Sequence, residues 1–176
     1  MNDLILLALL LEGPQHGYAL KKKVALITGH GEMHNNLVYP LLKRFVQQGW
    51  VHRRSVDGQR GQTRELYALT TNGKKELART LSEFTEKAAG SGEAFRLRVS
   101  LFTLLDRATQ ENILDRREAW LAAHHENLCR IEDASRPRGW SAEVVDFRKM
   151  EIRAERKWIE HLRQRMHTRG TAKEKG

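Results

Sequence analysis

Residues 35–50 read NNLVYPLLKRFVQQGW. Leu37, Val38, Leu41, Leu42, Phe45 and Val46 recur at helical spacing, and Asn35, Asn36, Tyr39, Lys43, Arg44 and Gln47 fall largely between them. The stretch is therefore an amphipathic helix with an amide-and-cation face. Pro40 constrains where that helix begins, because proline has no amide hydrogen and only the first amides of a helix lack an intrahelical acceptor. The spacing predicts a start near Asn35 or Asn36, either of which suits a cap, and Gly49 as the stop.

Working outward, Leu4–Leu11 (LILLALLL) is apolar almost all round and predicts a short buried helix, ended by Glu12-Gly13-Pro14. Helical periodicity restarts over His16–Ile27, with Tyr18, Leu20, Val24 and Ile27 inward and Lys21, Lys22 and Lys23 largely outward. After the quoted helix, Trp50–Val56 and Arg64–Leu69 alternate with period two and are joined by the polar DGQRGQT, which predicts a hairpin with a basic tip. Thr70 is placed to cap a fourth helix, roughly 71–87, with Leu77, Leu81 and Phe84 on one face. Helix, helix, helix, hairpin, helix is the order of a winged helix-turn-helix.

A boundary is expected at 88–93 (AAGSGE), and everything beyond it reads as helix. Phe95, Val99, Phe102 and Leu105 form one stripe; Ile113, Trp120, Leu121, His124, Leu128 and Ile131 form another on a helix of roughly 108–133. SRPRGWS (135–141) breaks it, and helix resumes over 142–168 with Val145, Ile152, Ile159 and Met166 seven apart. A seven-residue repeat marks a helix packed lengthwise on another. The expected fold is mainly α: an N-terminal winged helix-turn-helix domain over 1–87, an α-helical dimerisation and effector hairpin over 93–168, and a polar, disordered tail over 169–176.

The totals narrow the function classes. Across 176 residues the formal net charge is +9, and both halves share it: 13 Lys+Arg stand against 8 Asp+Glu in residues 1–89, and 18 against 14 in 90–176. A basic domain of this kind suits a polyanionic partner such as nucleic acid. Cys129 is the single cysteine, so no intramolecular disulfide or thiolate cluster forms, which fits a reducing compartment. The run Leu4–Leu11 is too short to span a membrane and lacks the flanks of a signal peptide. A cytoplasmic protein is expected.

In a helix-turn-helix the exposed N-terminal residues of the third helix reach base edges in the major groove. Asn35, Asn36 and Lys43 suit that role, and Tyr39 can offer its hydroxyl to a phosphate while its ring packs on the domain. In the hairpin, Arg53, Arg54, Arg60 and Arg64 suit flanking backbone or minor-groove contacts. The bland alternative for each segment is a solvated polar face or a soluble loop; their adjacency favours nucleic acid. In the C-terminal half Trp120, Trp140 and Trp158 with Met150 and Met166 could line an aromatic effector pocket or simply form core or dimer interface; Trp120, His124 and Trp158 are the candidate effector residues. Adjacent His124 and His125 point about 100° apart on a helix and cannot easily share one ion, so no metal or other cofactor is expected. No phosphate loop, nucleophile elbow or carboxylate pair suggests an enzyme.

LALLLEGPQHGYALKKKV resembles the first two helices of PadR-type bacterial transcriptional regulators, with the HGY motif at His16-Gly17-Tyr18. LVYPLLKRFVQQGWV resembles the family's recognition helix, with Val38 in place of the usual leucine before Tyr39-Pro40, and LYALTTNGKKEL resembles its wing end and fourth helix, including Leu69-Thr70 and Gly73. The family often carries Ser-x-Gly-Thr before its Leu-Tyr-Pro pattern; this chain has His34-Asn35-Asn36-Leu37, so its cap and base-reading residues are its own. The resemblance implies a homodimeric repressor of nearby genes at the bacterial nucleoid. It also implies DNA contacts at Tyr39 and, by position, Asn35, Asn36, Lys43 and Arg44, and release of a DNA operator on binding a small aromatic effector. The operator is expected to be palindromic, with the homodimer formed through the C-terminal helices. The rival readings are a winged-helix protein-interaction module and a metal or redox sensor built on His124, His125 and Cys129.

Overall fold

A helix that is apolar all round has to be buried all round. In α1 (Asn2–Leu9) Leu4, Ile5, Leu6, Leu7 and Leu9 are all buried. The computed structural model describes residues 2–28, 35–57 and 63–173, and its contacts divide into two units, residues 1–83 and 84–176.

In the first unit a 3₁₀ turn (Leu10–Glu12) leads to a two-residue strand, β1 (Gln15–His16), and then to α2 (Gly17–Thr28) and α3 (Asn35–Gln47). The hairpin is β2 (Val51–Asp57) and β3 (Thr63–Leu69), and α4 (Thr71–Ser82) follows. The sheet has three strands in the order β1-β3-β2. Sequence periodicity expected helix from His16 and only a two-stranded hairpin; instead Gln15 pairs with Tyr67 and His16 with Leu66. Two residues carry no period, and their partners lie about fifty residues on, so local patterning cannot register the third strand. Leu20 and Val24 are buried as expected, whereas Tyr18 and Ile27, expected inward, are exposed.

α3 begins at Asn35, so Pro40 is its sixth residue and lies past the free amides. It removes the bond to the Asn36 carbonyl, and an interior proline costs about 3 kcal/mol. Val38, Leu41, Leu42 and Phe45 are buried on this helix, and each such side chain contributes about 1.5–3 kcal/mol; burial wins. The helix ends in a Schellman motif. The Trp50 amide donates to the Phe45 carbonyl at 2.9 Å and the Gly49 amide to that of Val46 at 3.1 Å, with Gly49 at φ +70°. The Phe45 and Trp50 rings supply the accompanying hydrophobic contact, 5.6 Å between centroids. Thr70 caps α4, its hydroxyl accepting from the Gly73 amide at 3.0 Å and donating to the Gly49 carbonyl at 2.7 Å.

α4 stops at Ser82, short of the expected 87, because Thr85 caps a new helix, α5 (Glu86–Ala89). Leu77 and Leu81 stay buried in the first unit, but Phe84 enters the core of the second, so the division falls at Glu83–Phe84 rather than within 88–93. The second unit continues with α6 (Gly92–Ser100), a 3₁₀ turn (Phe102–Leu104), α7 (Arg107–Ser135) and α8 (Trp140–Lys173). α8 carries helix into the expected tail as far as Lys173, and residues 174–176 lie outside the described set. Phe84, Ala89, Phe95, Ile113, Leu114, Leu121, Ile152 and Ile159 make the core. The heptad residues Ile152 and Ile159 thus serve packing within the chain.

Candidate nucleic-acid interface

Burying Val38, Leu41, Leu42 and Phe45 leaves Tyr39, Lys43, Arg44 and Gln47 exposed on α3. Tyr39, Lys43 and Gln47 are four apart and line one side of the helix. The Tyr39 ring lies on the bare backbone of Gly17, so the HGY motif and the Tyr-Pro motif meet in space. Arg44 lies elsewhere: it is ion-paired with Asp3 of α1, and its guanidinium sits 5.4 Å from the Phe45 ring centre. Asn35 and Asn36 open the helix, but their side chains lie outside the described residues.

Strand register sorts the hairpin arginines. Arg53 stands opposite Tyr67, Ser55 opposite Glu65, and Arg54 opposite Leu66. Side chains alternate along a strand, so Arg53 shares the face of buried Val51, whereas Arg54 shares the other with Val56 and Arg64. Arg53 accordingly lines a cleft of about 410 Å³ with Tyr39, Lys43, Val46, Gln47 and Tyr67. A neighbouring groove of about 580 Å³ is lined by His16, Gly17, Tyr18, Tyr39, Arg64 and Tyr67, among others. Tyr67 is buried between the two. Desolvation, then the Glu65 charge, holds its phenol above the usual tyrosine range, while the Arg53 charge pulls the other way. Arg60 falls outside the described residues.

Tyr67 and Glu65 escape sequence reasoning because their role depends on strand pairing. Arg53 had a local signal: it lies two residues after Val51, the apolar residue that fixes which face of β2 is inward. The His16 ring completes the arrangement, its Nδ1 donating to the Glu65 carbonyl at 3.2 Å.

In the second unit the expected effector residues pack into or beside the core. Trp120 stacks on His124 at 4.7 Å between ring centroids, and Trp158 meets Phe95 edge-on at 5.6 Å. Trp158 borders a cleft of about 450 Å³ with Ala154, Lys157, Glu160, His161 and Gln164; neither Trp120 nor His124 lines it. Arg117 is buried between α7 and α8, its Nε and Nη2 donating to the Glu155 carboxylate at 2.9 and 2.7 Å. Among the described residues no group of three or more His, Cys, Asp or Glu could hold a metal ion; Cys129 Sγ lies 3.8 Å from His125 Nδ1. No described helix is long and apolar enough to cross a membrane.

Three helices, a wing and a braced third helix with a phenol and cations outward define a winged helix-turn-helix protein. The model of the transcriptional regulator PadR-like family matches residues 6–79. The chain belongs to this family and is a PadR-family transcriptional regulator. It is similar to TA0346 of Thermoplasma acidophilum at 34% identity over 44% of this chain and 73% of that one, with a TM-score of 0.41. It is also similar to Bacillus subtilis PadR solved in complex with operator DNA, at 20% identity over 91% of this chain and 96% of that one, with a TM-score of 0.43. The same protein solved with p-coumaric acid gives 19% identity over 91% and 95%, with a TM-score of 0.41. Among curated proteins, none matches the chain.

Proposed function

We propose that the chain is a sequence-specific repressor that acts as a homodimer on a partly palindromic operator and responds to a small aromatic effector. The observation that carries the DNA-binding reading is the stripe Tyr39, Lys43, Gln47 on α3, exposed beside Arg53 of the wing. A helix braced on its far side by four buried apolar residues presents these groups without having to order itself on binding. Lys43 then reaches base edges or phosphate, Tyr39 meets a phosphate, and Asn35 and Asn36 at the helix start contact bases. Arg44, Arg54, Arg60 and Arg64 add charge around them.

Residues 1–83 serve as the DNA-binding domain, and the unit that begins at Phe84 serves as the dimerisation and effector domain. Support for pairing comes from α8, where Trp140, Val144, Phe147 and Met150 are exposed although apolar and recur every three or four residues. A second copy packed there would remove them from water. Two-fold symmetry then sets half-sites roughly 10 base pairs apart or a multiple of that. An effector bound near Trp120, His124 and Trp158 acts only if it binds the DNA-competent and DNA-free arrangements unequally.

Titration of the protein against its own upstream region and against bulk duplex tests the reading. Preferential, steeply salt-sensitive binding is expected, together with a solution mass near twice 20.4 kDa. Equal affinity for bulk DNA would favour a protein-docking module instead.

A further inference from the structure

An acidic residue beside a DNA-facing cleft is an oddity, because it repels phosphate. Glu65 is such a residue. Its Oε1 accepts from the Ser55 hydroxyl directly across the ladder at 2.9 Å, and its Oε2 lies 3.4 Å from Arg53 Nε on the diagonal. We propose that Glu65 is a positioning residue for DNA binding, whose carboxylate holds the Arg53 guanidinium at the cleft beside Tyr39 and Lys43, where it engages a backbone phosphate. This inference rests on the DNA-binding reading above.

The geometry supports it in three ways. First, the carboxylate is itself fixed: one oxygen is held by Ser55, and the Glu65 carbonyl receives His16, so the strand position is anchored on both sides. Second, Glu65 approaches Arg53 through Nε, the nitrogen nearest the stem of the side chain. The two terminal amino groups are the natural fork for a phosphate, and Tyr67, directly across the ladder from Arg53, lines the same cleft. Third, the pair is half-exposed, with 57% and 39% of the side chains accessible. Exposed pairs stabilise a fold little, so a stability role explains this one poorly. Ordering a long side chain before binding is useful because an unrestrained arginine loses rotamer freedom when the complex forms.

The sign of the effect separates positioning from simple electrostatics. Glu65→Ala removes a negative charge from a DNA-facing surface; charge alone predicts tighter binding and a steeper salt dependence. Positioning predicts the opposite. Affinity of the full-length protein for a duplex of its own upstream region is measured as salt is varied, for Glu65→Ala, Glu65→Asp, Arg53→Ala and the double variant. Arg53→Ala is expected to weaken binding about tenfold and to lower the salt slope by about one contact. Glu65→Ala is expected to weaken binding severalfold and to flatten the slope as well. Glu65→Asp recovers part of the loss, and the double variant binds like Arg53→Ala. Tighter binding by Glu65→Ala, or additive losses in the double variant, would overturn the proposal. A wild-type protein that binds no duplex would sink the underlying DNA-binding reading instead, and unchanged affinity in Arg53→Ala with a loss in Lys43→Ala would sink only the role of Arg53 and Glu65. Equal thermal unfolding of Glu65→Ala and wild type confirms that folding is not what is being read.

Discussion

Gly17 and Tyr39 touch: a Cβ built on Gly17 would stand 2.9 Å from Tyr39 Cε1 and 3.4 Å from the Tyr67 ring. The glycine is thus a seat for the phenol that α3 turns outward, and it links the start of α2 to the proposed DNA contact. Because Tyr39 is 47% exposed, its ring can swing away from an added methyl. Gly17→Ala is expected to cost about 1 kcal/mol of stability but to displace Tyr39, with a clear loss of DNA affinity. Denaturant unfolding and a DNA titration on the same variant check both halves. Full affinity with an unmoved midpoint would show that the seat does not matter.

Lys43 stands one turn after Tyr39 on the same side of α3 and lines the cleft shared with Arg53. Lys43→Ala is expected to cost about 1–3 kcal/mol of binding if the ammonium reads a base edge, with a larger loss on the operator than on bulk duplex. Equal losses on both would reassign Lys43 to a phosphate.

Arg117 and Glu155 form the buried ion pair of the second unit, with side-chain exposures of 5% and 18%. Arg117 Nη1 also donates to the Ala89 carbonyl, so α5, α7 and α8 are tied at one guanidinium. Glu155→Ala leaves that cation buried without its carboxylate, and removing one partner of a buried pair costs about 3–5 kcal/mol. Replacing both by apolar residues of similar volume is expected to recover much of the loss. Urea unfolding of the single and double variants measures the difference; a single variant as stable as wild type would mean the pair is solvated in solution.

His124 Nε2 is enclosed with no hydrogen-bond partner among the described residues. Burial first, then the charges of Arg148 and Arg117, hold the imidazole below its usual pKa. The fold therefore favours the neutral ring. Its contribution is complete above the unfolded value of about 6.5 and is lost as pH falls from there through the lower folded value. Unfolding midpoints measured from pH 7.5 down to 5 are expected to fall more steeply for wild type than for His124→Gln. Parallel curves would show that some other group sets the acid limit.

On α8, Trp140 and Phe147 are 88% and 55% exposed, while Ile152 and Ile159 are buried against the chain's own core. Val144→Glu with Phe147→Glu is expected to halve the mass seen by light scattering and to leave helix content unchanged. An unaltered mass would place the dimer contact on another face.

The helices were legible wherever a period was long enough to count. α3 was fixed by its apolar spacing, its start near Asn35 and its stop at Gly49; α7 and the packed heptad of α8 were equally plain, because a helix repeats its buried face every three or four residues. What local patterning missed was pairing. The strand at Gln15–His16 has no period, and its partner residues Leu66 and Tyr67 come from the far side of the unit. Phe84 reads as the next inward residue of α4, yet the Thr85 cap turns the chain and gives Phe84 to the other core. In the candidate interface, sequence supplied Tyr39 and Lys43 from one helix face. Only the β2–β3 register decided that Glu65 and Tyr67 stand with Arg53 on one face of the hairpin and Arg64 with Arg54 on the other, since a side chain's neighbours across a ladder depend on which residues align and not on which are adjacent in the chain.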